Sequence, residues 1–314
     1  MTRNYCTYFD QRYLLLGLTL HQSLLKHAGD FRLWILCFDA DTYHLLEKMR
    51  LDRVELIRLN EFENADLLAV KSSRTLVEYF WTATPDLPLY IFRRDPSIEQ
   101  ITYLDADLFF FAPPDPIEQA FGDGSILIVE HRYSPDLMYL RAESGIYNVS
   151  LLTFRHDVNA LACLNWWRAR CLEWCYARAE DGKMGDQKYL DDWPQRFPGV
   201  VVLKHAGCGV APWNIQNYHI RQRDYGVWVD NVPLIFYHFH QFKALGPHEF
   251  DLAQRYRLTH DQIDLIYRPY IVAVQAAIGR IELIAPDFRA SYFSRNAVTE
   301  LKRIVKRHWH IIRV

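Results

Sequence analysis

The stretch that decides the fold reads Ile101-Thr-Tyr-Leu-Asp105-Ala-Asp107-Leu-Phe-Phe-Phe111, an apolar run interrupted by two carboxylates one residue apart. In an extended backbone, side chains two residues apart lie on the same side, so Asp105 and Asp107 would face one direction. Burying two like charges is costly unless a cation lies between them, and carboxylate oxygens suit a hard divalent ion. The stretch therefore predicts a buried strand that ends at a metal site, although two solvated aspartates before a turn would give the same short pattern.

Toward the amino terminus, apolar segments alternate with segments of helical periodicity. Three segments have the pattern of buried strands: 5–9, 33–38 and 54–59. This alternation predicts an α/β fold with a mostly parallel central sheet and helices on both faces. Ligands bind such sheets at the carboxyl ends of the strands. We therefore expect Asp10, Asp39 and the Asp105/Asp107 pair to lie on one edge.

Toward the carboxyl terminus, the alternation continues to about residue 245. The last predicted strand, 234–240, ends with His238 and His240 on one face, and residues 261–284 have a helical pattern. We therefore predict one α/β domain over residues 1–245 and a helical extension over 246–314. Basic and apolar residues alternate without an acid in 301–314. A segment of this kind lies on an anionic membrane surface, contacts a partner, or packs as a helix on its own domain, and all three remain open.

The composition is typical of a globular protein. With 314 residues and 50% hydrophobic content, the chain is long enough to bury a sizeable core. The formal net charge of -2 gives no reason to expect a nucleic-acid partner. The six cysteines contain no Cys-x-x-Cys pair, which favours free thiols in a reducing compartment. Because no signal-peptide pattern and no uncharged run of about 18 residues occurs, we expect a cytoplasmic protein, and peripheral contact with the inner membrane face through 301–314 stays one of the open alternatives.

Nucleotide-binding loops are missing from the sequence. No Gly-x-Gly-x-x-Gly follows the first strand, and no Gly-Lys-Ser/Thr loop occurs. The phosphates of a bound nucleotide would therefore need a metal bridging them to the carboxylate pair. His238 and His240 are candidate third ligands, because imidazole suits manganese-like ions. The alternative for either is a satisfied strand histidine.

A glycine-flanked loop carries the second candidate group. Asp186 and Gln187 follow Gly182 and Gly185, at the start of a predicted helix. They would approach a bound sugar, whereas helix capping by Asp186 is the structural alternative. Candidate phosphate neutralisers are Lys243, Lys71 and Arg74, for which plain surface solvation is the alternative.

The order of these pieces resembles that of GT-A nucleotide-diphospho-sugar transferases. It is most similar to glycosyltransferase family 8, which includes glycogenin and bacterial lipopolysaccharide galactosyltransferases. The likeness covers about residues 5–243 and rests on five segments: Tyr13–Leu18, Leu104–Asp107, Ser144–Asn148, Gly185–Gln187 and His238–Phe239. The chain departs from the family where Asn-Ser-Gly becomes Glu143-Ser144-Gly145, with an asparagine at Asn148 instead, and where Lys-Pro-Trp becomes Lys243-Ala244-Leu245.

The resemblance implies a role for each matching residue. Asp105 and Asp107 would bind Mn²⁺ or Mg²⁺, with His238 or His240 completing the site. The nucleotide of a UDP-sugar would contact Asp10, Tyr13, Arg74, Asp105, Ala106 and Lys243. Asp186 and Gln187 would be the catalytic residues beside the anomeric carbon.

The implied function is metal-dependent transfer of a sugar from a UDP-sugar to a carbohydrate acceptor, with retention. The acceptor would be a glycan, lipid-linked or at the cell surface, as in polysaccharide biosynthesis. A sugar-1-phosphate nucleotidyltransferase is the nearest alternative, although Asp10-Gln11-Arg12 is a poor substitute for its glycine-rich loop. A catalytically silent sugar-nucleotide or glycan-binding module is the alternative from another class.

Overall fold

The computed structural model describes residues 2–224, 226–254, 256–294 and 311–314. Its strands, in chain order, are β1 (Arg3–Phe9), β2 (Phe31–Cys37), β3 (Val54–Arg58), β4 (Gln100–Leu104), β5 (Leu108–Phe110), β6 (Ile126–Glu130), β7 (Tyr147–Arg155), β8 (Val200–Leu203), β9 (Ile220–Arg223), β10 (Gly226–Val229), β11 (Val232–Pro233), β12 (Phe236–His238), β13 (Lys243–Gly246), β14 (Glu249–Asp251) and β15 (Ile311–Arg313).

The α-helices surround the strands. They are α1 (Leu14–His27), α2 (Ala40–Met49), α3 (Leu59–Phe62), α4 (Ala65–Lys71), α5 (Leu76–Ala83), α6 (Asp86–Arg94), α7 (Asp115–Phe121), α8 (Leu140–Ser144), α9 (Val158–Glu173), α10 (Trp193–Arg196), α11 (His260–Gln262) and α12 (Arg268–Glu282). Short helical turns of other pitch occupy Pro135–Leu137, Lys188–Asp192, Ile215–Asn217 and Ile263–Tyr267.

A seven-stranded sheet in the order β3-β2-β1-β4-β7-β6-β8 forms the centre. Only β7 of this sheet runs antiparallel to its neighbours, β4 and β6, and the remaining pairs are parallel. Because side chains alternate along a strand, β2 buries Leu33 and Ile35 in one apolar core and Trp34 and Leu36 in a second core on the other face. The predicted α/β fold, mostly parallel and covered by helices on both faces, is confirmed.

The chain leaves this sheet at the two carboxylates. The buried strand ends at the carboxylates, as expected: β4 ends at Leu104 and residues 105–107 turn, with the Leu108 N–H donating to the Asp105 carbonyl at 3.2 Å. β5 then pairs antiparallel with β12, where Leu108 lies opposite His238. The expectation that Asp105 and Asp107 share one side of an extended strand is therefore wrong, and a turn brings them to the sheet edge instead.

The region after residue 245 contains strands as well as the expected helix. β13, β14 and β15 form a small antiparallel sheet, whereas α12 packs on α1 in the same apolar core as the central sheet. Of the basic segment proposed for membrane contact, residues 301–310 lie outside the described residues. Residues 311–313 are a strand rather than a helix, and Arg313 pairs with Glu249 at 2.8 Å. The boundary at 245 stays a prediction. No helix among the described residues is long and apolar enough to cross a bilayer.

Candidate functional site

A cavity of about 670 Å³ opens at the carboxyl ends of β1 and β4. Its walls come from the β1–α1 turn, α5, the β4–β5 turn, the loop before Lys188, and the segment around β12 and β13. Almost all residues singled out from the sequence line it: Asp10, Tyr13, Asp105, Ala106, Asp107, Asp186, Gln187, His238, His240 and Lys243. The topology therefore gathers side chains from five distant segments around one space.

The β4–β5 turn is held by its neighbours on both sides. The Asp105 N–H donates to the Ser150 carbonyl of β7 at 2.9 Å, and the Phe239 N–H donates to the Asp107 carbonyl at 2.9 Å. The Tyr103 hydroxyl donates to Asp105 Oδ1 at 2.8 Å. These bonds fix the direction of the two carboxylates, because both ends of the turn are tied to neighbouring strands.

His238, at the end of β12, completes a three-residue cluster with this turn. Its Nε2 lies 3.1 Å from Asp107 Oδ1 and 3.8 Å from Asp105 Oδ2. One ligand atom from each of Asp105, Asp107 and His238 lies within 4.8 Å of the others. The indole of Trp213 stands edge-on to the imidazole, with ring centroids 5.1 Å apart. The register of β5 against β12 thus brings the histidine to the carboxylates.

The three side chains of the cluster shift one another's pKa values. Burial, partly offset by His238 and reinforced by Asp107, raises the pKa of Asp105 to about 6. Burial also acts to raise the pKa of Asp107, but the charge and hydrogen bond of His238 bring it below its ordinary value. In return, Asp107 raises the pKa of His238 against the effect of burial. Two carboxylates therefore share one compensating cation.

The donor set fits a divalent ion. Two carboxylates and one imidazole at this spacing are a combination that manganese-like ions accept well and magnesium accepts less readily. His240 lines the same cavity, with its ring 5.7 Å from that of His238, but it is not a member of the three-residue cluster found among the described residues.

Asp186 and Gln187 line the same cavity and are fixed by a tight backbone. Gly185 has φ +54°, and a Cβ there would lie 3.1 Å from the Trp81 ring, so glycine permits the close approach of this loop to α5. Trp167 Nε1–H donates to the Asp186 carbonyl at 2.8 Å. The alternative of helix capping by Asp186 is wrong, since Gln187 occupies the position before Lys188–Asp192 and makes no side-chain cap.

The Asp186 carboxyl group is buried and incompletely paired. The residue is 4% exposed, and Oδ2 has no partner among the described residues. The Thr84 hydroxyl, which lies 2.9 Å from the Tyr8 hydroxyl, acts to lower the pKa of Asp186. Burial raises the pKa of Asp186 to about 7, and the negative charge of Asp105 adds to this rise. The group therefore changes charge near neutral pH.

The part of the cavity near the β1–α1 turn contains residues from both ends of the chain. Asp10 Oδ1 accepts the Arg12 N–H at 2.9 Å and shapes the β1–α1 turn, which leaves Tyr13 41% exposed beside the cavity. Phe293 meets the Tyr13 ring edge-on at 6.5 Å, and the Lys243 ammonium lies 5.3 Å over the Phe293 ring. No sequence pattern pointed to Phe293, because it lies after the end of the predicted α/β domain.

Arg74 is the predicted residue that lies elsewhere. Its Nη2 donates to the Leu172 carbonyl at 3.2 Å, and its guanidinium lies 4.0 Å from the Tyr176 ring centroid. Arg74 is not among the described residues that line the cavity. Lys71, the other candidate from this region, pairs with Glu63 at 2.6 Å. Both cations are therefore occupied in structural contacts.

Several cavity residues were missed from the sequence. The buried polar member is His131, and the aromatic members are Tyr8, Phe80, Tyr103 and Trp213. Asn148, which also lines the cavity, was named from the sequence only as the displaced asparagine of the family motif. Each aromatic residue lies in an apolar context that is typical of a core position. The only available signal was polar: His131 and Asn148 interrupt strand-like runs, at the end of β6 and near the start of β7.

Comparison with known proteins agrees with this architecture. No family model matches the sequence. The chain is 33% identical over 302 residues to the uncharacterized protein YfnD of Bacillus subtilis (strain 168), covering 95% of this chain and 97% of that protein. It is 31% identical over 295 residues to the uncharacterized protein YfnF of the same organism, covering 92% and 97%.

Solved structures extend the comparison to the fold. The galactosyltransferase LgtC, solved in complex with donor and acceptor sugar analogues, superposes with a TM-score of 0.55 at 13% identity, covering 87% of this chain and 95% of LgtC. At this identity the likeness concerns the fold, and it confirms the resemblance to GT-A transferases inferred from the motifs. The chain therefore belongs to the family of YfnD and YfnF and has the GT-A fold.

Proposed function

We propose that this protein is a glycosyltransferase that moves a sugar from a UDP-sugar to a carbohydrate acceptor. The observation that supports the proposal is that two sets of side chains line one cavity of a GT-A fold. One is the Asp105-Asp107-His238 cluster, suited to a divalent ion, and the other is the buried Asp186 beside Gln187. A diphosphate leaving group and a cationic reacting carbon need opposite charges at the two ends of such a site.

At the diphosphate end, Asp105, Asp107 and His238 would hold Mn²⁺ or Mg²⁺. Such an ion, when bound, neutralises the diphosphate and makes it a better leaving group. Asp10 and Tyr13 would contact the uracil, and Lys243 would contact the phosphates. Ala106, in the β4–β5 turn, would also contact the nucleotide. Arg74 has no part in this proposal, because its side chain is engaged away from the cavity.

At the sugar end, the ionised carboxylate of Asp186 would stabilise positive charge that develops on the anomeric carbon. Its free Oδ2 has no hydrogen bond to lose when it does so. Retention of configuration would follow either from transient attack by this carboxylate or from same-face attack by the acceptor. The amide of Gln187 would contribute a fixed dipole at the same centre.

The acceptor in this proposal is a glycan, and the site of action is the cytoplasm. The basic and apolar composition of 301–314 supports a lipid-linked acceptor at the inner membrane face. Co-sedimentation with anionic liposomes tests that part alone. Sedimentation that is unchanged after deletion of 301–314 would remove it.

Calorimetric titration with UDP, with Mn²⁺ and then with a chelator, tests the donor site. We expect binding with Mn²⁺ to be at least about tenfold tighter, equivalent to about 1.4 kcal/mol. A screen of UDP-sugars for slow hydrolysis, read as UDP release, then tests catalysis and identifies the donor. Binding without hydrolysis of any donor would indicate a silent binding module. Pyrophosphate release from a nucleoside triphosphate and a sugar phosphate would indicate a nucleotidyltransferase.

A further inference from the structure

Three polar side chains form a continuous chain of hydrogen bonds behind the sugar end of the cavity. Asn148 Nδ2 lies 3.1 Å from Gln187 Oε1 and 3.2 Å from His131 Nε2. Asn148 Oδ1 accepts the Ser150 N–H at 2.8 Å, and Gln187 Nε2 donates to the Ser144 carbonyl at 2.6 Å. His131 and Asn148 are 4% and 7% exposed, so water does not substitute for these partners.

Backbone groups at the ends fix the direction of every bond in this chain. The Ser150 N–H is only a donor, so the Asn148 atom facing it is the carbonyl oxygen, and the amide nitrogen faces the other way. That nitrogen has two hydrogens, which require acceptors on both Gln187 and His131. The Ser144 carbonyl is only an acceptor, which independently requires the nitrogen of Gln187 on its side.

His131 closes the chain as a neutral acceptor. Since its Nε2 accepts from Asn148, its proton is on Nδ1, which faces the Ile146 carbonyl at 3.3 Å. The ring stacks on Tyr133 with centroids 4.5 Å apart, and the Trp213 ring stands 5.3 Å away. Trp213 Nε1–H also donates to the His131 carbonyl at 3.0 Å. An imidazolium here would set two N–H groups against each other, and burial lowers the pKa of His131 to about 3.

We propose that His131 and Asn148 are positioning residues that, together with the Ser144 carbonyl, hold the Gln187 amide in one orientation beside the bound sugar. The inference rests on the proposed function, since Gln187 lines the cavity beside Asp186. A reversed Gln187 amide would set N–H against N–H at Asn148 and oxygen against oxygen at Ser144. One orientation of its dipole is therefore imposed before any donor binds, which is what a site that stabilises developing charge requires.

The kinetic test is a double-mutant cycle on donor hydrolysis with Asn148→Ala and Gln187→Ala. We expect each single variant to lower kcat about tenfold or more, with KM for the donor and the Kd for UDP unchanged within about twofold. The double variant should lose no more than the worse single variant, because Asn148 acts through Gln187. Losses that multiply would overturn the proposal. Unchanged UDP binding shows that each variant has folded.

The variant Asn148→Asp distinguishes a role of Asn148 in orienting the Gln187 amide from a role in filling space. Aspartate is nearly isosteric, but its second oxygen accepts where Nδ2 donates, so it opposes Gln187 Oε1 unless the amide reverses and loses its bond to the Ser144 carbonyl. We expect kcat for Asn148→Asp to be at or below that for Asn148→Ala. A purely structural role predicts the opposite order, because aspartate fills the space and restores a hydrogen bond.

A second test, by NMR spectroscopy, does not require enzymatic activity. We expect the ¹⁵N signals of the His131 imidazole, assigned by their loss in His131→Phe, to show the neutral Nδ1–H form from pH 5 to 9. A protonated ring or the Nε2–H form would overturn the proposed direction of the chain. If the wild-type protein hydrolyses no donor, the proposed function fails. The NMR measurement still shows whether the hydrogen bonds run in the proposed direction.

Discussion

Asp107 and Asp186 line the same cavity and are similarly buried, at 8% and 4% exposure, yet their carboxyl pKa values move in opposite directions. Burial acts to raise both. Asp107 has the His238 imidazole at 3.1 Å, and this partner more than offsets the effect. Asp186 has a hydroxyl partner, Thr84, and an Oδ2 with no described partner, so burial prevails.

The difference shows that the neighbour, rather than the depth of burial, decides what a carboxylate does here. A carboxylate whose pKa is lowered by a neighbouring imidazole suits a cation site, whereas a buried carboxylate that titrates near neutrality suits a reacting centre. Asp105 shares the cation site but has a pKa of about 6, because burial outweighs the effect of His238. The negative charge of Asp105 raises the pKa of Asp186, so the two ends of the cavity are electrostatically linked. The following predictions test that division.

Asp107→Asn should have the largest effect. Removing one charge leaves the cation with a single carboxylate and His238, so we expect the Mn²⁺-dependent gain in UDP affinity to vanish. Donor hydrolysis should fall by roughly 1,000-fold. Calorimetry and UDP release measure the two effects. Asp39→Asn is the matched control: Asp39 caps α2 near the same sheet edge but does not line the cavity. Equal losses in both variants would contradict a specific cation site.

Asp186→Asn should spare binding and remove catalysis. An amide at this position cannot develop the negative charge that the reacting carbon requires, so we expect kcat for hydrolysis to fall about 100-fold or more. The affinity for UDP with Mn²⁺ should change by less than about twofold, because Asp186 lies on the sugar side. A large rise in the Kd for UDP with unchanged kcat would reverse the roles assigned to the two carboxylates.

The same substitution should change how stability depends on pH. In the metal-free native protein Asp186 stays protonated to about pH 7, whereas its ordinary pKa is 3.8. The native state then binds more protons between these values, so this contribution to stability is full below about pH 4 and is lost as pH rises through about 7.

Its upper limit is about 4 kcal/mol, at about 1.4 kcal/mol per pH unit. Urea unfolding at pH 5 and pH 8 measures it, and Asp186→Asn should be the more stable protein at pH 8. An identical difference between the two pH values in wild type and variant would show that Asp186 titrates normally.

Thr84→Val should give the smallest effect. The Thr84 hydroxyl acts to lower the pKa of Asp186, so its removal should shift the midpoint of the pH dependence of kcat upward by about 0.5 to 1 pH unit. The rate at high pH should stay nearly unchanged. Thr19→Val is the control, since the Thr19 hydroxyl bonds within α1 to Leu15. A downward shift in Thr84→Val would mean that Thr84 stabilises the protonated form.

Much of this architecture was predictable from the sequence because alternation and edge location are local patterns. The strand-helix order followed from it, and so did the choice of Asp105, Asp107 and the pair His238 and His240 as candidate ligands at strand ends. The turn at residues 105–107 and the pairing of β5 with β12 did not, because residues 108–111 resume the apolar pattern directly after the two carboxylates. The sequence also did not predict where the Arg74 side chain lies, since its partners Leu172 and Tyr176 are remote in sequence.

The inner wall of the site was the least predictable part. His131 and Asn148 each look like a single polar residue in a core strand, and only the β6–β7 pairing brings them together. Phe293 was missed for a related reason: it reaches the cavity through a backbone bond from its N–H to the Ala244 carbonyl at 2.9 Å, which no periodicity predicts. Long-range pairing, not local propensity, decided these positions.

The pairing of β5 with β12 also has a consequence for biosynthesis. The seven-stranded sheet is complete once β8 has left the ribosome, but β12 emerges later. Until then the nascent chain carries Asp105 and Asp107 without the imidazole that compensates them. In the proposed function, capture of a divalent ion would therefore be a late event in folding, and a chain truncated before β12 would present the two carboxylates to chaperones without their imidazole partner.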